Sequence, residues 1–285
     1  MVDFAQDREG GLIMAITATT LADAATQASS GQPFAHAVDR WIYVFMAASF
    51  VAYTLIGFIP DSLAKIAAVE AGERAPFPLA LHAHALLMGA FLMLLLAQSV
   101  LAATGRLQYH RTLGIAAFVL GPALVIVGIV LVPTMYHQVW DAAQSAAPEI
   151  RPMIEQGLRE FDNIMLLQIR VGVLFPIFLA IALAARKSDP GLHKRMMFLA
   201  VAIALPAAFD RMPWLPTSLP GSALTPELYV LLAIAPMFMW DLVRTRTVHK
   251  AYVIWVLVSL PAAILVHTLW DSEWWHSTAH QLVGV

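Results

Sequence analysis

Seven apolar stretches, at 41–59, 79–103, 113–137, 164–185, 195–212, 227–243 and 251–270, decide what this chain can fold into. Each is close to the ~20 residues an α-helix needs to cross about 30 Å of hydrocarbon. No water satisfies peptide groups inside a bilayer, so spans there are helices or closed barrels, and apolar runs of this length select helices. Composition agrees: 60% of the residues are hydrophobic and 13% charged, against roughly 25% charged in a soluble domain. The expected fold class is all-α, a polytopic integral membrane helix bundle of about seven transmembrane helices. Short connections predict helical hairpins. The fifth and sixth stretches are the least regular, because prolines break "DRMPWLPTSLPGSALTP" between them.

Charge orients the spans. With the N-terminus inside, the inner segments hold Arg8, Arg40, Arg106, Arg111, Arg186, Lys187, Lys194, Arg195, Arg244, Arg246 and Lys250. The outer ones hold Lys65, Arg74, Arg151, Arg159 and Arg211. The positive-inside rule then predicts a bacterial inner-membrane protein with a cytoplasmic N-terminus and a periplasmic C-terminus. The expected organisation is a cytoplasmic segment over 1–40, a seven-helix domain over 41–270 and an outer tail over 271–285. Residues 1–10 are acidic and no basic region precedes an apolar core, so no signal peptide is expected. Within 12–29, "LIMAITATTLADAATQAS" is a weak helical candidate. The long outer loop 138–163 carries Ile150, Ile154, Leu158 and Phe161 at amphipathic spacing, which predicts a short helix lying on the outer surface.

Three inner loops repeat one pattern, a base upstream and then His followed by Arg or Lys. They are "GRLQYHRTLG", "ARKSDPGLHKRMM" and "RTRTVHKAYV", with His110-Arg111, His193-Lys194-Arg195 and His249-Lys250. This points to an internal repeat of three hairpins. Basic residues at this boundary ordinarily orient helices and snorkel to headgroups. At a helix N-terminus they also favour an anion such as a lipid phosphate. A three-histidine metal site from His110, His193 and His249 is opposed by the adjacent cations.

The opposite half holds the costliest polar residues. His82 and His84 are two residues apart, about 200° around a helix, so a regular helix cannot aim both at one ion. His84 shares a face with Met88, Phe91, Leu95 and Gln98 and is assigned inward; Gly89 on the His82 face keeps the reverse open. Arg170, deep in the fourth span, requires a partner or a wet cavity. Asp210 is its expected partner, with Asn163 on the same face and Arg211 nearby, and an anionic ligand group is the alternative. His137 and His267 end spans among Tyr136, Trp140 and Trp270, where interfacial histidines are common. His84, His137, Asn163, Arg170, Asp210 and His267 thus fall in one half of the bundle. His276 and His280 share a face if the tail is helical, a metal-holding spacing, but Trp274 and Trp275 favour an interfacial anchor.

The absence of cysteine excludes disulfides, iron–sulfur clusters and thiolate sites. The net charge of -2 gives no reason to expect a nucleic-acid partner. The sequence contains no HExxH, GxSxG or glycine-rich phosphate loop. From "LHAHALLMGAFLMLLLAQSVLAATGRLQYHRTLG" to "GLHKRMM" the chain resembles a group of uncharacterised bacterial multi-pass inner-membrane proteins. Its marks here are His82, His84, Gln98, Gly105, Arg106, His110, Arg111, Leu113, Gly114, Leu192, His193, Lys194, Arg195 and Met196. The resemblance implies a membrane bundle and carries no activity. The His-Arg pairs at helix starts also resemble small membrane proteins linked to haem–copper oxidase assembly, which implies haem or copper. Three functions fit these residues. One is redox or metal handling, with haem or a metal on His84, His137, His267 or His82. Another is a transporter or a lipid-, quinone- or small-molecule-binding protein without metal. The third is a subunit or assembly factor with a membrane-complex partner or as a homo-oligomer.

Overall fold

The computed structural model describes side chains from Pro33 to Val285. The chain divides into two units, residues 1–43 and 44–285. Helix α1 (Gln6–Glu70) begins in the first, where Arg40 lies over the Trp41 ring at 5.8 Å. The candidate helical segment 12–29 falls outside the residues whose side chains are described. The second unit continues with α2 (Leu79–Ala103), α3 (Leu107–Leu113), a 3-10 turn and α4 (Ala117–Ser145). Then come α5 (Arg151–Ala185), α6 (Pro190–Ala202), α7 (Pro206–Phe209), α8 (Leu224–Thr245), α9 (Lys250–Leu269) and α10 (Glu273–Val283). Among the described residues, seven helical segments are long and apolar enough to cross a membrane. This is the all-α architecture of an integral membrane protein.

The helices form where apolar length demands them and stop where turn chemistry does. Helix α2 ends at Thr104, and Gly105 takes a φ of 73°, the left-handed conformation that glycine reaches without a Cβ penalty. Asp189 starts α6 by accepting a hydrogen bond from the Leu192 N–H at 2.9 Å, with Pro190 at the first helical position. Ser272 caps α10 through the Trp275 N–H at 3.2 Å. Prolines 122, 133, 176, 236 and 261 lie inside helices, as membrane bundles tolerate when neighbours re-satisfy the freed carbonyls.

On α2, Leu79, Leu86, Met93 and Val100, spaced by seven, are all exposed and form a lipid-facing stripe, while Phe91, Leu92, Leu94 and Leu95 are buried. Helix α6 is the central element. It meets α1 through Phe50 and Phe198, whose ring centroids are 5.8 Å apart. It meets α9 where the Trp255 indole N–H donates to the Leu199 carbonyl at 3.2 Å. It meets α8 through Arg195 and Asp241. At its far end Ala208 of α7 backs onto Gly57 of α1 so closely that a Cβ on Gly57 would overlap the Ala208 carbonyl.

Two boundary expectations are corrected. The stretch 138–163 is not a long loop with a surface helix. Helix α4 runs on to Ser145 and α5 begins at Arg151. With 35 residues, α5 is about 50 Å long at 1.5 Å per residue, well beyond a bilayer core. The amphipathic face of its first turns packs on protein: Leu158 is buried, with Ile154 and Phe161 against the same cluster. The tail is not an open segment either, and only one of its two tryptophans is left for an interface. It forms α10, whose Trp275 and Ala279 are buried with Tyr136, Ala143, Leu158, Met165, Leu166 and Val266. Of the two tryptophans only Trp274 remains exposed.

Candidate functional site

The bundle has a basic end, carrying Arg106, Arg111, Arg186, Lys194 and Lys250, and an opposite end where α2 and α5 begin. Both α2 and α5 run from the opposite end to the basic end. They meet at Phe91 and Phe175, whose rings pack edge to face at 5.6 Å. That contact fixes the level of what lies above and below it. His84 is seven residues before Phe91 and Gln168 seven before Phe175, two turns or about 10 Å up the same faces. Below, Gln98 is seven residues after Phe91 and Ala182 seven after Phe175. Each of these matched positions is 84 residues from its counterpart.

The hooks at the basic end follow the same correspondence. The His110 Nδ1–H donates to the Gln98 carbonyl at 3.2 Å. The His193 Nδ1–H donates to the Ala182 carbonyl at 2.8 Å. The two imidazoles meet at 6.5 Å between ring centroids. Two of the three expected hairpins therefore share one device. The third does not. His249 lies in extended backbone before α9, and its Nδ1 accepts from the Ala251 N–H at 3.1 Å. Its ring thus folds over its own helix, with the opposite tautomer. Burial lowers the His249 pKa, and Arg195 adds to the effect.

Two basic residues of this end are paired with carboxylates. Arg195 is buried and makes a bidentate pair with Asp241, at 2.6 and 2.5 Å. The Tyr252 hydroxyl donates to the same carboxylate at 2.5 Å. Lys250 pairs with Asp189 at 2.6 Å. Arg111 and Lys194 are exposed. The hydrogen bonds from Lys250 and from the Leu192 N–H hold the Asp189 carboxyl below its ordinary 3.8. A carboxyl depressed in the folded state stabilises above its unfolded pKa and loses that contribution as pH falls through the folded one. Asp189→Asn should therefore lower stability slightly at neutral pH and make no difference once acid titration passes below that lowered pKa. Thermal unfolding at stepped pH reads both arms.

At the opposite end Arg170 has a partner other than the expected one. It is paired with Glu227 at the start of α8, and both side chains are largely buried. The His267 Nε2 approaches the other oxygen of Glu227 at 3.5 Å. Asp210 and Arg211 line a separate open cleft of about 420 Å³ with Asp61 and Lys65. In that cleft the Asp61 carboxylate takes Lys65 at 2.6 Å and Arg211 at 3.2 Å. The expected Arg170–Asp210 pair is not formed: the start of α8 brings Glu227 to Arg170, and Asp210 lines the cleft with Asp61 and Lys65 instead. Asn163 is structural, its Oδ1 accepting from the Asp271 N–H at 2.9 Å.

The metal and haem candidates are dispersed. His137 donates from Nε2 to the Val283 carbonyl at 2.9 Å and so ties α10 down. His267 serves Glu227. His82 is exposed and edges onto Phe77 at 6.2 Å. His84 lies on the inward side of α2, away from the exposed stripe. Among the described residues no three His, Cys, Asp or Glu side chains form a group that could hold a metal ion.

Two features were missed in the sequence. The first is Asp162, fully buried. Its carboxylate accepts from the Tyr136 hydroxyl and meets the His276 Nδ1 at 2.7 Å. The second is Gln168: its Oε1, with the Nδ1 of His84 and both amide atoms of Gln98, two residues already singled out in the sequence, is buried with no hydrogen-bond partner among the described residues. Buried polar atoms ordinarily find partners. Those of His84 and Gln168 each lie seven residues, about two turns, before a ring of the Phe91–Phe175 contact. The fold is that of a polytopic integral membrane protein, and the candidate site is a polar seam of unpartnered atoms on two helices that touch at one ring contact. Comparison with family models, with curated proteins and with solved structures finds no match.

Proposed function

We propose that this chain is a bacterial inner-membrane protein, with its basic end in the cytoplasm, that binds a membrane-soluble small molecule between α2 and α5. The orientation rests on the unequal distribution of Lys and Arg. The ligand reading rests on one observation, the unpartnered His84 Nδ1 and Gln168 Oε1 on matched levels of the seam. An amide oxygen requires a donor, and an imidazole nitrogen accepts or donates according to tautomer. A ligand hydroxyl meets both needs, and an apolar body suits the lipid-facing approach. A hydroquinone or isoprenoid alcohol has this chemistry. Haem or metal binding has less support, because His84, His137 and His267 serve three separate neighbourhoods.

The test uses detergent-purified protein titrated with a short-chain hydroquinone, alongside mass spectrometry of what organic solvent extracts from it. Saturable binding is expected. Since a neutral hydrogen bond is worth about 0.5–1.5 kcal/mol, His84→Ala and Gln168→Leu should each weaken it roughly three- to tenfold. Unchanged affinity in both variants, or no binding by the parent protein and no extractable amphiphile, sinks the reading. A Soret band or stoichiometric metal would replace it with the redox alternative.

A further inference from the structure

A buried acid linked to water through an imidazole is a different device from the seam. Asp162 lies on the buried face of α5, in step with Leu158, Met165 and Leu166, and its side chain is 1% exposed. The Tyr136 hydroxyl donates to its Oδ1. Its Oδ2 faces the His276 Nδ1 at 2.7 Å, and the other ring nitrogen of His276 faces the Asp271 Oδ1 at 3.0 Å. The Asp271 side chain is 69% exposed. The imidazole itself is nearly buried, so it is the bridge between a dry carboxylate and a wet one. A purely structural histidine requires one partner to fix its ring. Here the two nitrogens face carboxylates of opposite exposure.

We propose that Asp271, His276 and Asp162 form a proton relay that takes a proton from water at the C-terminal end of the bundle and holds it on Asp162. The steps balance without any electron transfer. A solvent proton forms an O–H bond on Asp271. That bond breaks as an N–H bond forms at the His276 Nε2. The Nδ1–H bond then breaks as an O–H bond forms on the Asp162 Oδ2. The Tyr136 hydroxyl keeps its hydrogen bond to Oδ1 throughout, and release runs the same steps in reverse. Chains of Asp and His inside membrane bundles are recognised proton pathways. This relay does not depend on the ligand reading above.

The charged and titratable groups around it are few enough to separate. Tyr136 faces Asp162 from α4, and His280 approaches the same Oδ2 at 3.7 Å from α10. Arg159 of α5, paired with Glu273 at 2.7 Å, lies within electrostatic reach of Asp162 and Asp271, and Glu273 within reach of His276. The Trp275 indole N–H donates to the Asp162 backbone carbonyl at 2.8 Å, which places a fluorophore on the relay.

The experiment is a stopped-flow pH jump across the range where imidazole titrates, about pH 5 to 8. It follows the fluorescence that Trp275→Phe removes. Infrared difference spectra of the same protein report the protonated carboxyl. Asp271→Asn tests the entry step. Asp271 has a φ of 57°, and asparagine accepts that left-handed backbone at least as well, so the turn is preserved. The expected result is a fluorescence change at least about tenfold slower in Asp271→Asn with its amplitude kept, in line with the loss of a positioned proton donor. Asp162→Asn should remove the carboxyl band, a readout independent of the first variant. Equal rates with and without Asp271 overturn the relay. So does the absence of a pH-dependent signal in the parent protein, or a carboxyl band that survives Asp162→Asn.

Discussion

An Arg195→Leu protein should lose about 3–5 kcal/mol of stability, the cost of leaving one charge of a buried pair without its partner. The two side chains are only 8% and 9% exposed. Among the described residues, the Asp241 carboxylate would keep the Tyr252 hydroxyl and no other side-chain hydrogen bond. Arg195→Lys should recover only part of the loss, because an ammonium cannot supply the two parallel bonds made by the guanidinium. Replacing Arg195 and Asp241 together with apolar residues of similar volume should cost far less than either single change. A thermal or denaturant series on the three variants in one detergent separates these outcomes. If the single and double variants lose stability equally, the bond geometry described here is not what holds α6 to α8.

Trp275→Ala should have the next largest effect, also about 3–5 kcal/mol, from the cavity that a truncated buried indole leaves. It also withdraws the indole N–H from the Asp162 carbonyl. The ties of α10 that remain include His276 on Asp162, the Val283 carbonyl on His137 and the exposed Glu273–Arg159 pair. Limited proteolysis should therefore cut the variant within 272–285 before any other site. If the tail stays as resistant as in the parent protein, Trp275 is not its principal anchor.

Much of this architecture is written plainly in the chain. The spans announce themselves because lipid imposes one length and one chemistry on them, and the inward side of α2 follows from His84 and Gln98, about four turns apart on an otherwise apolar face. What fails to show is the rotation of each helix about its own axis. Arg170 clearly required a neutralising partner, yet Glu227 and Asp210 both stood near the right end of the bundle. Only packing decides between them. Asp162 was hidden for another reason. It fell in a stretch that looked like loop, although Leu158, Asp162, Met165 and Leu166 trace one face at helical spacing. An acid in register with that stripe was the available signal. His276 gave a signal too, through its spacing from His280, but the neighbouring tryptophans pointed toward the bilayer. The matched stations on α2 and α5 were legible only in part: the His-Arg and His-Lys pairs suggested repetition, while the common offset along both helices emerged from the Phe91–Phe175 contact.

The burial of α6 has a consequence for how the chain is made. Met196, Phe198, Leu199, Ala200, Val201 and Ala202 occupy every side of this helix and all are buried. A segment enclosed in this way draws little benefit from hydrocarbon, and it carries Arg195, whose insertion alone is unfavourable. Its passage into the bilayer is therefore a cooperative event during biogenesis. Until α8 arrives with Asp241, the nascent chain holds an arginine whose counter-ion has not yet been synthesised.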